Sequence, residues 1–402
     1  MVQPCLTGRT VLELGSFLAA PFAANILLEL GADVIKVEPL AGDPTRSMGK
    51  TGDPSGTFAA YSRGKKSVSL NLRSDEGHAI FDRLLANADI VIHNLSPESA
   101  RRLKVTHDDC YRVNPRIVYC HIRGYGPGPL ENDLASNPAI EAATGVMYGH
   151  RINGRPTRFG PSYHDQFAGA YSVIGILAAL SSKADDKESR CVEVGLYESG
   201  LHVAARDLVN RQLKSLSGIV EPEPEAGEFS FAGYGAYETA DGRWIFLVMM
   251  TDLHWTKFCE VMAPEANVPD LGTSRQRKEQ RPRVEALVSN AVRGLAYDIV
   301  AARLRSVNFG FTEVKPPAEV LNDPQALVPG KIAYVPWQNH VLKVPAFPID
   351  SPLVRRNVET PAPQLGQHNL EVLQSLGYDG AACEALQKKG ILGGVGKADK
   401  KR

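Results

Sequence analysis

Side chains able to do covalent or acid–base chemistry are spread along the 402 residues without most of the spacings that mark a site. The ten histidines include no HxH and no HExxH, so no pair of histidines has a metal-ligand spacing. No GxSxG presents a serine nucleophile. Asp165 stands apart, in RFGPSYHDQFAGAYSVIGILAAL, directly ahead of a long apolar stretch. An aspartate there can serve as a helix N-cap, its carboxylate accepting backbone N–H groups. It can equally serve as a carboxylate nucleophile in a dry pocket, set on a rigid helix start. His164 precedes it, but neighbours in sequence need not face the same way.

Basic residues form small groups: Arg101, Arg102 and Lys104; Lys65 and Lys66; Arg73; and Arg151, Arg155 and Arg158 upstream of Asp165. One such group is what any solvated face carries. Several of them, however, follow the carboxyl ends of expected parallel strands, where open α/β sheets bind ligands, and this points to an anionic, phosphate-bearing ligand. The 45 bases and 45 acids cancel, so a ligand of that kind must be held locally rather than by a global field. The same balance argues against bulk nucleic-acid binding. Nucleotide-loop signatures fail: GSFLAAP stands where GxGxxG would follow the first strand, and GGVGKA near the C-terminus lacks the first glycine and the Ser/Thr of a P-loop.

These residues need a frame. From Thr10 the text runs VLEL, GSFLA, APFAANILLEL, GADVIKVE: strand, loop, helix with Pro21 in its first turn and Gly31 at its end, then strand. KSVSLNL, DIVIHNL, RIVYCHI and CVEVGL supply further buried-type strands between helices, which predicts an open parallel sheet. Ala168 to Leu180 predicts a buried helix, and Phe167 to Leu180 is too short an apolar run for a bilayer needing about 20 residues. The six cysteines (Cys5, Cys110, Cys120, Cys191, Cys259, Cys383) have no CxxC spacing and predict reduced thiols in a cytoplasmic protein.

Between Ile219 and Gly242 stand six acids and no base, predicting a linker. The expected division is a large domain over 1–215, a linker over 216–227, a small α+β domain over 228–320, and a return segment over 321–402 completing the large domain. YGAYETADGRWIFLVMM predicts a hairpin turning at ADGR, and LGQHNLEVLQSLGY a last amphipathic helix. The final 17 residues carry six bases, one acid and four glycines, predicting a solvated, partly disordered tail.

Taken in order, these blocks resemble the family III CoA-transferases, the formyl-CoA, carnitine and succinyl-CoA-dependent type. The resemblance runs from VLELGSFLAAPFAANILLELGADVIKVEPLAGDPTR through KKSVSLNLRSDEG, IVIHNLSPESARRL, NPRIVYCHIRGYGPGP and GRPTRFGPSYHDQFAGAYSVIGILAAL to YETADGRWIFLVMMTDLHWTKFCEVM and LGQHNLEVLQSLGY. It implies an α/β fold: a large Rossmann-like domain with an open parallel sheet built from both chain ends, a smaller α+β domain, and an interlocked dimer. It implies Asp165 as the catalytic aspartate. For coenzyme A it implies Leu18 and Ala19 in the loop after the first strand, Leu70 and Arg73, and Asn94, Leu95 and Arg102 toward the nucleotide end.

The implied activity moves CoA from a succinyl-CoA-like donor to a dicarboxylic or bulky organic acid through an aspartyl-CoA thioester, with CoA as a substrate thioester and no permanently bound cofactor or metal. The implied partners are acyl-CoA and carboxylic acids, without nucleic acid or membrane, in a homodimer or a heteromer with a homologous chain. Intramolecular CoA transfer on a C5 dicarboxylate would use the same motifs. VMMTDLHW replaces the glycine run of formyl-CoA transferase, which disfavours oxalate as acceptor. ASNPAIE contains no histidine where the related α-methylacyl-CoA racemases carry theirs, which disfavours racemisation. A non-catalytic subunit is disfavoured by Asp165 itself.

Overall fold

A computed structural model describes residues 2–49, 55–184, 186–218, 231–356 and 358–394. The chain divides into two compact units, Met1–Pro222 with Val328–Arg402, and Glu223–Leu327. Most of the acidic linker, including Glu221, Glu223, Glu225 and Glu228, lies outside the described residues.

The larger unit begins with β1 (Thr10–Glu13), α1 (Ala19–Glu29), β2 (Asp33–Glu38), α2 (Gly56–Tyr61), β3 (Lys66–Ser69), α3 (Asp75–Ala86), β4 (Ile90–His93), α4 (Pro97–Arg102), α5 (His107–Val113) and β5 (Val118–Arg123). It continues with α6 (Asn137–Ala143), α7 (Val146–Gly149), the small hairpin β6 (Arg151–Ile152) and β7 (Arg155–Pro156), α8 (Tyr163–Ser181), β8 (Cys191–Gly195) and α9 (Leu196–Leu216). Six strands form one parallel sheet in the order β3-β2-β1-β4-β5-β8. Strand order reverses between β1 and β4, so a crevice opens at the carboxyl edge there, as expected for an open α/β sheet.

Alternate residues feed two cores, one on each face of the sheet. Val11, Val34, Ile90, Ile92, Val118 and Cys120 meet α1 and α8 on one side. Leu12, Val37, Val68, Val91 and Tyr119 meet Phe81, Leu84 and Leu85 of α3 on the other. Helix α1 ends as its sequence predicts, with Gly31 at φ +108°.

The smaller unit contains β9 (Gly235–Glu238), β10 (Trp244–Leu247), α10 (Asp252–Met262), α11 (Ser274–Glu279), α12 (Arg281–Arg293), α13 (Tyr297–Ser306), β11 (Phe311–Glu313) and α14 (Pro317–Val320). The hairpin β9–β10 turns through ADGR, and β11 pairs antiparallel on β10. The chain then returns to the larger unit as the hairpin β12 (Ile332–Trp337) and β13 (His340–Pro345), followed by α15 (Asn369–Ser375) and α16 (Gly380–Lys388).

The part of the expected disordered tail that is described, residues 386–394, is ordered. Helix α16 runs through Leu386 to Lys388, Ile391 and Leu392 are buried, and Leu392 bridges to Leu70 beside β3. Three apolar side chains in reach of a core outweigh the local glycines and charges. Residues 395–402 lie outside the described part. Among the described residues no helix is long and apolar enough to cross a membrane.

Candidate active site

The loop after β1 is where the two halves of the sheet part, and it is pinned from below by buried charge. Lys36 on β2 donates to Glu13 Oε1 (2.7 Å) and to the Gly15 carbonyl (2.7 Å), and pairs with Asp43 (2.9 Å). Lys65 donates to Glu13 Oε2 (2.6 Å) and the Pro21 carbonyl (2.9 Å). Burial alone would discharge both ammonium groups. For Lys36 the acids Glu13, Asp43 and Glu38 outweigh it and hold the pKa above its ordinary value. Lys65, sharing one acid, is pulled down to about 8. Lys65 is therefore not the solvated or ligand-facing base that its sequence neighbourhood suggests, and Lys66 is paired with Glu371 at 2.8 Å.

From above, the Asn94 amide grips both sides of Ser16: Oδ1 accepts its N–H and Nδ2 donates to its carbonyl, each at 2.9 Å. Between these anchors Phe17 is held at φ +61°, a left-handed conformation rare for an aromatic residue, with half its surface exposed. Leu18 is the residue preceding α1 and Ala19 its first, buried, residue.

Beside this loop, a cavity of ≈ 380 Å³ is lined by Leu14, Leu70, Arg73, Leu95 and Leu103, among others, at the carboxyl ends of β1, β3 and β4. A second, of ≈ 250 Å³, shares Leu72, Arg73 and Leu103 with it and adds Arg102 and Lys104. The structure thus brings together Leu70, Arg73, Leu95 and Arg102: apolar walls leading to exposed guanidinium groups. Leu18, Ala19, Asn94 and Asp165 do not line either cavity.

Two histidines hold the Leu95 wall. Leu95 N–H donates to His93 Nδ1 (3.3 Å), which leaves the proton of the neutral ring on Nε2, directed at the Tyr119 hydroxyl (2.7 Å). His121 Nε2 donates to the Leu95 carbonyl (2.8 Å). Burial, reinforced by the adjacent His121, keeps His93 well below the ordinary histidine range. The sequence offered no signal for this pair except two polar residues at the ends of apolar strands.

Asp165 occupies the first turn of α8. The residue preceding that helix is Ser162, so the capping role is not the one Asp165 takes, and Ser162 makes no side-chain cap either. The Asp165 carboxylate has no hydrogen bond or ion pair among the described residues. Burial raises its pKa to about 6, and the charge of Arg158 only partly opposes this. Arg158 donates to Ser162 Oγ (3.1 Å), while Arg151 lies over the Tyr148 ring, 4.0 Å from its centroid.

The start of α8 is tied to the β1 loop region through α1. Gly169, one turn after Asp165, lies so close that an added Cβ would stand 2.9 Å from the Ala19 carbonyl oxygen. Gln166 donates to the Tyr61 hydroxyl (3.2 Å), and Tyr61 packs edge-on against Phe22 of α1. Asp165, Ala19 and Tyr61 thus belong to one packed neighbourhood. Tyr61 and Gln166 carry no motif that sequence alone could flag.

The larger unit thus carries a carboxylate without a bonding partner among the described residues in the first turn of α8 and, separately, an apolar cavity ending in arginines. The chain belongs to CoA-transferase family III, whose profile matches residues 6–369, and it is an enzyme of that class. It is 30% identical over 397 residues to (R)-2-hydroxy-4-methylpentanoate CoA-transferase of Clostridioides difficile, covering 93% of this chain and 96% of that one. It is also 30% identical to the succinyl-CoA–L-malate CoA-transferase alpha subunit of Chloroflexus aurantiacus, covering 92% and 88%. A CaiB/BaiF family protein from Brucella suis has the same fold, with TM-score 0.82, 26% identity, and coverage of 93% and 100%.

Proposed function

We propose that this CoA-transferase moves CoA from a succinyl-CoA-like donor to a hydroxy- or dicarboxylic acid through a covalent aspartyl-CoA thioester on Asp165. The observation that carries this reading is the Asp165 carboxylate, partly desolvated and without a partner among the described residues. A carboxylate so placed gains more from bonding to an acyl carbon than one already neutralised by a cation.

In this scheme a carboxylate oxygen of Asp165 attacks the donor thioester carbonyl. The C–S bond breaks, CoA leaves as thiolate, and a mixed anhydride joins the donor acyl group to Asp165. The thiolate then attacks the aspartyl carbonyl of that anhydride, giving the aspartyl-CoA thioester and releasing the donor acid as its carboxylate. The acceptor carboxylate runs the two steps in reverse, regenerating Asp165 and leaving as its CoA ester. Bonds and charge balance without a further cofactor. Leu70, Leu95, Arg73 and Arg102 support a CoA ester along the cavity walls, with Leu18, Ala19 and Asn94 shaping the loop above it. Arg158, whose charge reaches Asp165, is suited to hold the second carboxylate of an acceptor. That acceptor class agrees with the malate named for the Chloroflexus relative.

The test is chemical trapping. Hydroxylamine added with succinyl-CoA inactivates the enzyme and converts Asp165 to its hydroxamate, read by peptide mass. An unmodified Asp165 peptide in an inactivated enzyme would overturn the covalent path. Six free cysteines suit a cytoplasmic setting. Light scattering of the purified chain tests whether it assembles as a homodimer or requires a homologous subunit, as the subunit name of the malate relative indicates for that protein.

A further inference from the structure

Helix α8 needs partners for the N–H groups of its first turn, and its own preceding residue supplies no side-chain bond. The partner comes from α6 instead. Asn137 Oδ1 accepts the His164 N–H at 2.9 Å, and Asn137 is almost fully buried. The other end of its amide, Nδ2, donates to Glu141 Oε1 at 2.5 Å. Glu141, only 1% exposed, uses its second oxygen to accept the Phe159 N–H at 3.0 Å. One buried Asn–Glu pair thus holds the turn leading to Asp165 at both ends, before it at Phe159 and after it at His164.

Thr144 completes the same face. Its hydroxyl proton goes to the Ile140 carbonyl (2.7 Å), so His164 Nε2, 3.5 Å away, is the donor of that longer contact. Residues 137, 141 and 144 follow the i, i+4, i+7 spacing of one helical stripe, and that stripe is devoted to the start of α8. Glu141 has no cation beside it among the described residues. A buried carboxylate held only by neutral N–H groups is costly to keep, and an apolar residue would pack there more cheaply.

We propose that Asn137 and Glu141 are positioning residues that aim Asp165 at the thioester carbon, acting on the rate of acyl transfer and not on the binding of the CoA ester. This rests on Asp165 being the nucleophile. A misplacement of about 1 Å from the attack geometry costs on the order of 10²-fold in rate. Glu141→Gln keeps the shape but can accept only one of the two N–H groups, and Asn137→Ala removes both bonds of the amide.

The experiment is steady-state kinetics on the full-length chain, with the donor and acceptor pair that turns over fastest when succinyl-CoA and acetyl-CoA are tried with C4–C6 carboxylic acids. Each variant's melting temperature is recorded alongside. Glu141→Gln and Asn137→Ala are expected to lower kcat about 10- to 100-fold, with KM for the CoA ester within about threefold of wild type. The double variant should be no worse than the poorer single one, because both act through one network. Wild-type kcat in a folded Glu141→Gln overturns the proposal, as does a loss confined to KM. If both variants fail to fold, the pair holds the unit together rather than aiming Asp165, and the proposal falls. Asp165→Asn is assayed in parallel. Turnover there defeats the nucleophile reading itself, whereas a dead Asp165→Asn beside a fully active Glu141→Gln defeats only the positioning role.

Discussion

Glu13 and Asp165 are two carboxylates withdrawn from water in the same unit, and their surroundings have made opposite uses of them. Glu13 is completely buried between two lysine ammonium groups at 2.6 and 2.7 Å. Its charge is spent on holding Lys36 and Lys65, which in turn hold the carbonyls of Gly15 and Pro21. Asp165 is half-buried with no bonding partner among the described residues, and its proton affinity has risen. A charge that is answered becomes scaffold, while one that is left unanswered stays available for reaction.

Neutralising each acid should therefore fail in different ways. Asp165→Asn is expected to lower kcat by at least about 10³-fold, because no other group replaces the nucleophile. CoA binding by calorimetry should persist. Residual turnover above about 1% would break the contrast at once.

Glu13→Gln should leave the nucleophile intact but strand two buried lysines. The expected loss is about 3–5 kcal/mol of folding stability by urea titration, since breaking a buried pair leaves an uncompensated charge. A near-neutral result would mean that the network is not the anchor of the β1 loop.

The pH profile sharpens the comparison further. With a pKa of about 6, Asp165 is protonated in mildly acidic solution, so kcat/KM should fall about tenfold per unit below pH 6. The sign for stability runs the other way. Folding raises this pKa, so the ionised carboxylate weakens the fold above about pH 6, and the penalty vanishes below the ordinary range of an aspartate. Asp165→Asn should accordingly melt a few degrees higher than wild type at pH 8 and no higher at pH 4.

The smallest effect belongs to the cavity rim. Arg102 is exposed and, among the described residues, tied only to Ser99 Oγ (3.2 Å) and loosely to Glu98. Arg102→Ala should raise KM for CoA esters severalfold with kcat within about twofold, and it should flatten the salt dependence of binding. A larger effect on kcat than on KM would place Arg102 at the reaction and not at the nucleotide end.

What could be read in advance divides along the same line. Strands and helices announce themselves by apolar periodicity, and the order of blocks pointed to Asp165 through resemblance. Pairings across distance left no such mark. Glu13 and Lys65 are 52 residues apart, and nothing local tells a buried lysine from a solvated one, so Lys65 passed for a surface base. Asn137 and Glu141 stand four residues apart, but the sequence reading took ASNPAIE only for its lack of histidine, and neither the helix there nor the backbone groups it meets was foreseen. Capping was misplaced by three residues because Ser162, and not Asp165, precedes α8.

The bridge from Leu70 to Leu392 has a consequence for biosynthesis. Val372, Leu373, Cys383, Leu386, Ile391 and Leu392 cover the same sheet face as Val68 and Phe81. Strands complete by residue 195 must wait, with that face covered only in part by α3 and α5, for the rest of a cover made almost 200 residues later. Folding of the larger unit thus waits for residues 372–392 to be synthesised, and a nascent chain stalled before α15 would display part of that apolar surface to chaperones.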